Sequence, residues 1–264
     1  MRVWILVLLT LLVIIIYAAN VHHHECFTTI PRNINVACLY AAHDLDDEDA
    51  AFILKYSKDI PFYIIINGEW TEPCNALKNR ANISIIIRQN RGYDIAAWKH
   101  GMESFKEELS KYDLLLFMNN SCIIGDDMLR LCEHASDYDL YSYGFSYELY
   151  GRPFTDPHLH AYMFFVSKRL YASDDFQSYW NSMNTTDADH DESVHSNEYR
   201  LKAYFEQRGY KVGMYKFFDV EETYNYKSSD HYNPGIIKKR EVNAYPDKLS
   251  QFKKGLMINH ERGY

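Results

Sequence analysis

Residues 83–101 read ISIIIRQNRGYDIAAWKHG, a β-branched run that passes into a helical pattern through a short and strongly polar turn. The run ISIII (83–87) is apolar on both faces, as a strand covered from both sides requires. Beyond the turn, Ile95, Trp98, Met102, Phe105 and Leu109 recur at steps of three and four, which predicts one amphipathic helix packed on a sheet. Gly92 permits a backbone conformation that a β-carbon resists, and Asp94 is placed to cap the helix. The stretch is a strand-to-helix turn at the carboxyl edge of a parallel sheet.

The same alternation extends in both directions. VACLYAA (36–42), the helix-like DDEDAAFILKYS, PFYIIIN (61–67), ISIII and DLLLFM (113–118) give strand, helix, strand, strand-to-helix, strand. That order predicts βαβ units, and so an α/β fold with a Rossmann-like, mostly parallel sheet flanked by helices. The second half is less regular. Strands are expected at YSYGFSYELY (141–150), HAYMFFVS (160–167) and KVGMYKFF, and helices at DDFQSYWNSM (174–183) and SNEYRLKAYFEQRG (196–209). With no internal repeat and no Pro/Gly/Ser linker, residues 36–264 read as one domain. Residues 36–121 form its first functional half and 122–264 its second.

Ahead of this domain, Val3 to Ala19 form an uncharged apolar run, at the short end of what spans a ~30 Å hydrocarbon core. Its length favours an uncleaved signal anchor or transmembrane helix over residues 1–20, followed by a linker over 21–35. YAAN (17–20) keeps a cleaved secretory signal as the alternative. Arg2 and the amino terminus on one side put the short end in the cytosol, with the domain lumenal or exterior. Five cysteines lack C-x-x-C spacing and leave one unpaired, and three sequons (Asn82, Asn119, Asn184) prove nothing about glycosylation. A formal net charge of −8 argues against nucleic acid, whose phosphates need clustered Lys and Arg.

Ligands of open α/β sheets bind outside the carboxyl ends of the strands. Four such ends are polar here: His43-Asp44, Asn67-Gly68, Asn90-Arg91-Gly92-Tyr93-Asp94 and Asn119-Asn120-Ser121. Any one of them is explained by the need for caps at a surface. Four together point to a ligand.

The order NRGYDIAAWKHGM, YDLLLFMNNS, HAYMFFVSKRLYASDDFQSYW and NEYRLKAYFEQRGYKVG resembles the rhamnan synthesis protein F family of glycosyltransferases, and more distantly the family-2 glycosyltransferases of GT-A fold. The resemblance covers roughly 36–220. It implies a nucleotide-sugar-dependent hexosyltransferase of polysaccharide or glycan synthesis, inverting, acting on a glycan hydroxyl. It places Asn90, Gly92 and Asp94 beside the nucleotide sugar, with Arg91 or, more weakly, Lys99 near the diphosphate. His43 and Asn67 complete the nucleotide site, and 119–121 face the diphosphate or sugar. His158 and His160 fall near the acceptor and donor sugar, although a lone histidine is more often structural.

The family of GT-A enzymes places Asp-x-Asp where this chain has Asn119-Asn120-Ser121, so the expected Mn²⁺ or Mg²⁺ has no evident ligand pair, and its ligands are left unknown. Asp126 and Asp127 read first as a helix N-terminus. Glu198 matches the family's general base, with Asp191 and Glu192 as rivals. An acid favoured by a helix dipole explains it equally well. His190 reads as a solvated loop residue, and His260 is a late candidate for the diphosphate or a metal. Two other classes stay open: a non-catalytic sugar-nucleotide or glycan-binding module, and a metal-dependent hydrolase using HDLDDED (43–49) and DADHDE (187–192), although most of the former reads as a helix start.

Overall fold

Seven consecutive buried residues form β1 (Val36–Ala42), a strand covered on both faces. The computed structural model describes residues 34–124, 128–149, 152–159, 161–183, 185, 200–218 and 236–238. Along the first half, α1 (Asp47–Tyr56), β2 (Phe62–Asn67), α2 (Glu72–Leu77), β3 (Ile83–Arg88), α3 (Tyr93–Ser104), α4 (Lys106–Leu109) and β4 (Leu114–Asn119) follow β1. Here β1 pairs in parallel with β2 and with β4, and β2 pairs in parallel with β3.

The second half adds β5 (Cys122–Ile124), α5 (Met128–Ala135), β6 (Leu140–Leu149), β7 (Arg152–Leu159), β8 (Met163–Ser167), α6 (Lys168–Tyr171), α7 (Asp174–Ser182), α8 (Leu201–Glu206), β9 (Val212–Phe218) and β10 (Ile236–Lys238). The main sheet runs β3-β2-β1-β4-β8-β6-β7, with β9 parallel to β6. Strand β8 enters antiparallel to β4, β6 is antiparallel to β7 and β8, and β5 and β10 form a small ladder of their own. The parallel expectation therefore holds for the first half, while the second half is mixed.

Alternate residues of β1 feed two cores. Val36, Cys38, Tyr40 and Ala42 pack with α1, α2 and α5 on one face, and Ala37, Leu39 and Ala41 with α3, α4, α6, α7 and α8 on the other. Trp98 of α3 meets Phe117 of β4 and Phe164 of β8 edge-on, at ring separations of 6.1 and 5.5 Å, and its indole N–H donates to the Met118 carbonyl oxygen. Burial pushes the Cys132 thiol up to about 12 and the Cys38 thiol well above its ordinary value, so both are inert core residues.

Three expectations are corrected in detail. The run ISIII is not covered on both sides: β3 is the edge strand of the sheet, with Ile83 buried and Ile87 44% exposed. The single helix through Leu109 is two: Phe105 leaves helical geometry (φ −112°, ψ 24°), and α4 restarts after it. Asp94 is not the cap, because helix α3 begins at Tyr93 on a left-handed Gly92. Acids 46–49 are a helix start, as read: Asp46 and Asp49 form a reciprocal capping box. Residues 3–19 lie outside the described residues, among which no helix is long and apolar enough to cross a membrane.

Because Trp98 closes one core against two strands, Trp98→Ala is expected to cost about 3–5 kcal/mol of stability. Urea unfolding of the variant against wild type measures it.

Candidate functional site at the carboxyl edge of the parallel strands

Strands β2 and β3 lie to one side of β1 and β4 to the other, so the chain reverses its winding between β1 and β4. The crevice at such a switch point is where open sheets bind ligands. All four polar ends meet there, and a set of asparagines joins them.

Asn67 is 2% exposed, and three of its atoms hold three different segments. Its Nδ2 donates to the Tyr93 carbonyl oxygen at 3.2 Å, its Oδ1 accepts from Arg88 Nη1 at 2.5 Å, and its own carbonyl oxygen accepts from His43 Nδ1 at 2.9 Å. A carbonyl can only accept, so His43 carries its proton on Nδ1 in this contact. Arg88 Nη2 donates in turn to the Arg91 carbonyl oxygen at 2.9 Å.

The turn itself is strained. Gly92 has φ +71° and Tyr93 has φ +53°, the left-handed region that a residue with a β-carbon enters at a cost of roughly 1–2 kcal/mol. A β-carbon at Gly92 would collide with the Thr185 carbonyl oxygen and sit 2.8 Å from Ala96 Cβ. The chain leaving α7 therefore packs directly on this turn.

Across the crevice, Asn119 Nδ2 donates to Asp94 Oδ2 at 2.6 Å, while its Oδ1 accepts from Ser121 N at 3.1 Å and Ser121 Oγ at 2.5 Å. Asn120 Nδ2 donates to the Asp44 carbonyl oxygen at 2.9 Å and to Asp49 Oδ2 at 3.4 Å, and its Oδ1 accepts from His43 N. These amide oxygens serve internal donors. Among the described residues no group of three or more His, Cys, Asp or Glu converges as a metal site. The described residues thus do not offer Mg²⁺ or Mn²⁺ the ligand set that such hard cations need.

Two cations, Arg88 and Arg91, belong to the turn, and Lys99 lies further along α3. Arg88 and Lys99 are partly buried and Arg91 is exposed, and none has an ion-pair partner among the described residues. Burial draws the Arg88 pKa below its ordinary value without discharging it. Asn90 is exposed on the turn.

The remaining candidates have no contact with this cluster among the described residues. His158 lies in β7, in backbone register with Ser146. His160, Glu198, His190, Asp191, Glu192, Asp126, Asp127 and His260 lie outside the described residues, as does DADHDE. An open groove of about 550 Å³ exists elsewhere, lined by Leu54, Lys55, Lys58, Arg80 and Asn82 among others. Its walls are the end of α1 and the helix-to-strand loops before β2 and β3, so it opens at the opposite edge, away from the strand ends that carry the polar clusters.

The model of the family described as rhamnan synthesis protein F matches residues 62–248, more than half of the 264-residue chain. The chain belongs to the rhamnan synthesis protein F family. The match begins at β2 and takes in Asn67, the 88–94 turn and Asn119–Ser121. No curated protein sequence matches significantly.

Solved structures that the chain resembles include the glycosyltransferase GlyE of Streptococcus pneumoniae TIGR4, at 12% identity and TM-score 0.41 over 74% of this chain and 47% of that one. A nucleoside-diphosphate-sugar pyrophosphorylase from Vibrio cholerae RC9 aligns at 11% identity and TM-score 0.44 over 82% and 98% of the two chains. The mannosyltransferase Ktr4p of S. cerevisiae aligns at 10% and 0.36 over 76% and 78%. The chain spans less than half the length of the pneumococcal enzyme. Likenesses this distant carry no argument about chemistry.

Sequence reasoning missed Arg88. The inspected turn began after the strand, and the signal available was a lone cation closing an otherwise apolar run.

Asn119→Asp would set a second carboxylate 2.6 Å from Asp94. One of the two must then hold a proton, which raises its folded-state pKa above the unfolded value. A raised carboxyl pKa contributes stability at low pH that is lost as pH rises through it. The variant is expected to be about 1–3 kcal/mol less stable than wild type near ~pH 8, with the deficit shrinking toward ~pH 4. Urea unfolding across that range checks it.

Proposed function

We propose that this protein is a glycosyltransferase that moves a hexosyl group from a nucleoside-diphosphate sugar to a glycan hydroxyl, with inversion, in polysaccharide synthesis. The observation that carries the reading is the joining of four polar strand ends at a winding reversal by Asn67, Asn119 and Asn120, in a chain of the rhamnan synthesis protein F family. The left-handed turn supports it further, because strained backbone persists where surrounding structure holds it and clusters at ligand sites.

In this reading Asn90, Gly92 and Asp94, with His43, hold the nucleotide, and Asn67, buried and committed to internal bonds, holds His43 and the turn in place. Asn119 to Ser121 face the diphosphate or sugar, and His158 and His160 belong to the acceptor side. The acceptor hydroxyl attacks the anomeric carbon in line as its proton passes to Glu198, and the C–O bond to the nucleoside diphosphate breaks. Arg91 and Lys99 take up charge developing on the leaving diphosphate. No step is routed through a divalent cation. The apolar segment 3–19 tethers the domain to a membrane as a single-pass anchor with a short cytosolic end, or is removed as a secretory signal.

A second reading, a non-catalytic sugar-nucleotide-binding module, is favoured by one observation: the amides at 119 and 120 stand where a carboxylate pair is expected. Thermal-shift measurement with a panel of nucleoside-diphosphate sugars, with and without chelator, followed by assay of nucleoside diphosphate release, separates the two. A glycosyltransferase raises its midpoint with one donor and releases diphosphate in an acceptor-dependent way. Binding without release supports the module, and no shift with any donor contradicts both. Asp94→Ala is expected to weaken donor binding about tenfold while the domain stays folded, which the same titration measures.

A further inference from the structure

Arg88 ends β3 and is the register partner of Asn67 at the end of β2. One planar guanidinium reaches two acceptors on different segments, Asn67 Oδ1 and the Arg91 carbonyl oxygen. Both acceptors are neutral, and no carboxylate pairs with this cation among the described residues.

Its two bonds act on the same piece of backbone. Arg91 directly precedes the left-handed pair Gly92 and Tyr93. Asn67, whose amide oxygen Arg88 engages, uses its amide nitrogen to hold the Tyr93 carbonyl oxygen. An amide has one accepting and one donating end, so a donor at Oδ1 settles which end faces Tyr93. With Oδ1 held by Arg88 and Nδ2 donating to Tyr93, the amide is fixed at both ends. Arg88 therefore holds the turn from both sides: at residue 91 directly, and at residue 93 through Asn67.

We propose that Arg88 is the positioning residue of the donor site, holding residues 90–94 in the left-handed turn that receives the nucleotide sugar. The role rests on the glycosyltransferase reading above, and it requires no contact between Arg88 and the donor. Lysine cannot replace it, because an ammonium is a point charge without the planar fork that spans both acceptors.

The test compares the full-length chain with Arg88→Lys and Arg88→Ala, the lysine variant keeping the charge if the alanine variant fails to fold. Two readouts are taken: amide hydrogen exchange of residues 90–96 without ligand, and KM against kcat for the nucleoside-diphosphate sugar that gives wild type its largest thermal shift, taken as donor. Both variants are expected to exchange faster at 90–96 than wild type while β1 and β4 stay protected. Donor KM is expected to rise about tenfold or more while kcat changes less than about threefold. Added guanidinium ion is expected to restore part of the donor KM of Arg88→Ala. Faster exchange with an unchanged donor KM would overturn the proposal. So would a raised KM with unchanged exchange at 90–96, which would make Arg88 a direct ligand. If wild-type protein bound no nucleotide sugar, the glycosyltransferase reading would fail, and the donor role of Arg88 with it, whatever the exchange data showed.

Discussion

The arrangement at the sheet edge depends on one buried amide. Asn67 is almost wholly removed from water, and its side-chain oxygen, side-chain nitrogen and main-chain carbonyl each join a different segment. A buried amide whose partners are lost costs roughly 1–3 kcal/mol, so a rearrangement of any joined segment strands a polar group. That cost is comparable to the strain of the left-handed turn at Gly92 and Tyr93. The network and the strained turn thus hold each other in place.

Asn119 and Asn120 extend this logic to the far side of the crevice. Asn119 ties β4 to the start of α3 through Asp94, and Asn120 ties it to the loop after β1 and to Asp49 in the first turn of α1. Carboxylates in both places would bring a third and a fourth negative group toward Asp94 and Asp49. Neutral amides donate to those acids instead, so no further negative charge is set beside Asp94 and Asp49.

Much of the first half was legible because parallel strands buried on both faces read as unbroken apolar runs, and β1, β2 and β4 are buried throughout. The polar strand ends and the need for glycine at position 92 were legible for the same reason: they interrupt those runs. What was hidden is everything set by tertiary pairing. Asp94 looked like a cap because acids cap helices locally, whereas its partner Asn119 is 25 positions away. Arg88 looked like part of a connection because its two acceptors become neighbours only when β2 and β3 pair. The helix break at Phe105 was masked by a stripe that continues across it, since Leu109 reaches the same core from α4. In the second half β6, β8 and β9 were legible as apolar or aromatic runs, whereas β7, which returns along β6 in a hairpin, and the long-range β5–β10 ladder were not.

The central claim is that the ligand binds where Asn67, Asn119 and the turn at 90–94 converge. Amide chemical-shift mapping during titration of the chain with a nucleoside diphosphate tests it most directly. The account predicts that the largest shifts fall at His43, Gly68, Gly92 to Asp94 and Asn119 to Ser121. Shifts concentrated instead at Lys55 to Lys58 and Arg80 to Asn82, in the groove at the opposite edge, would contradict it.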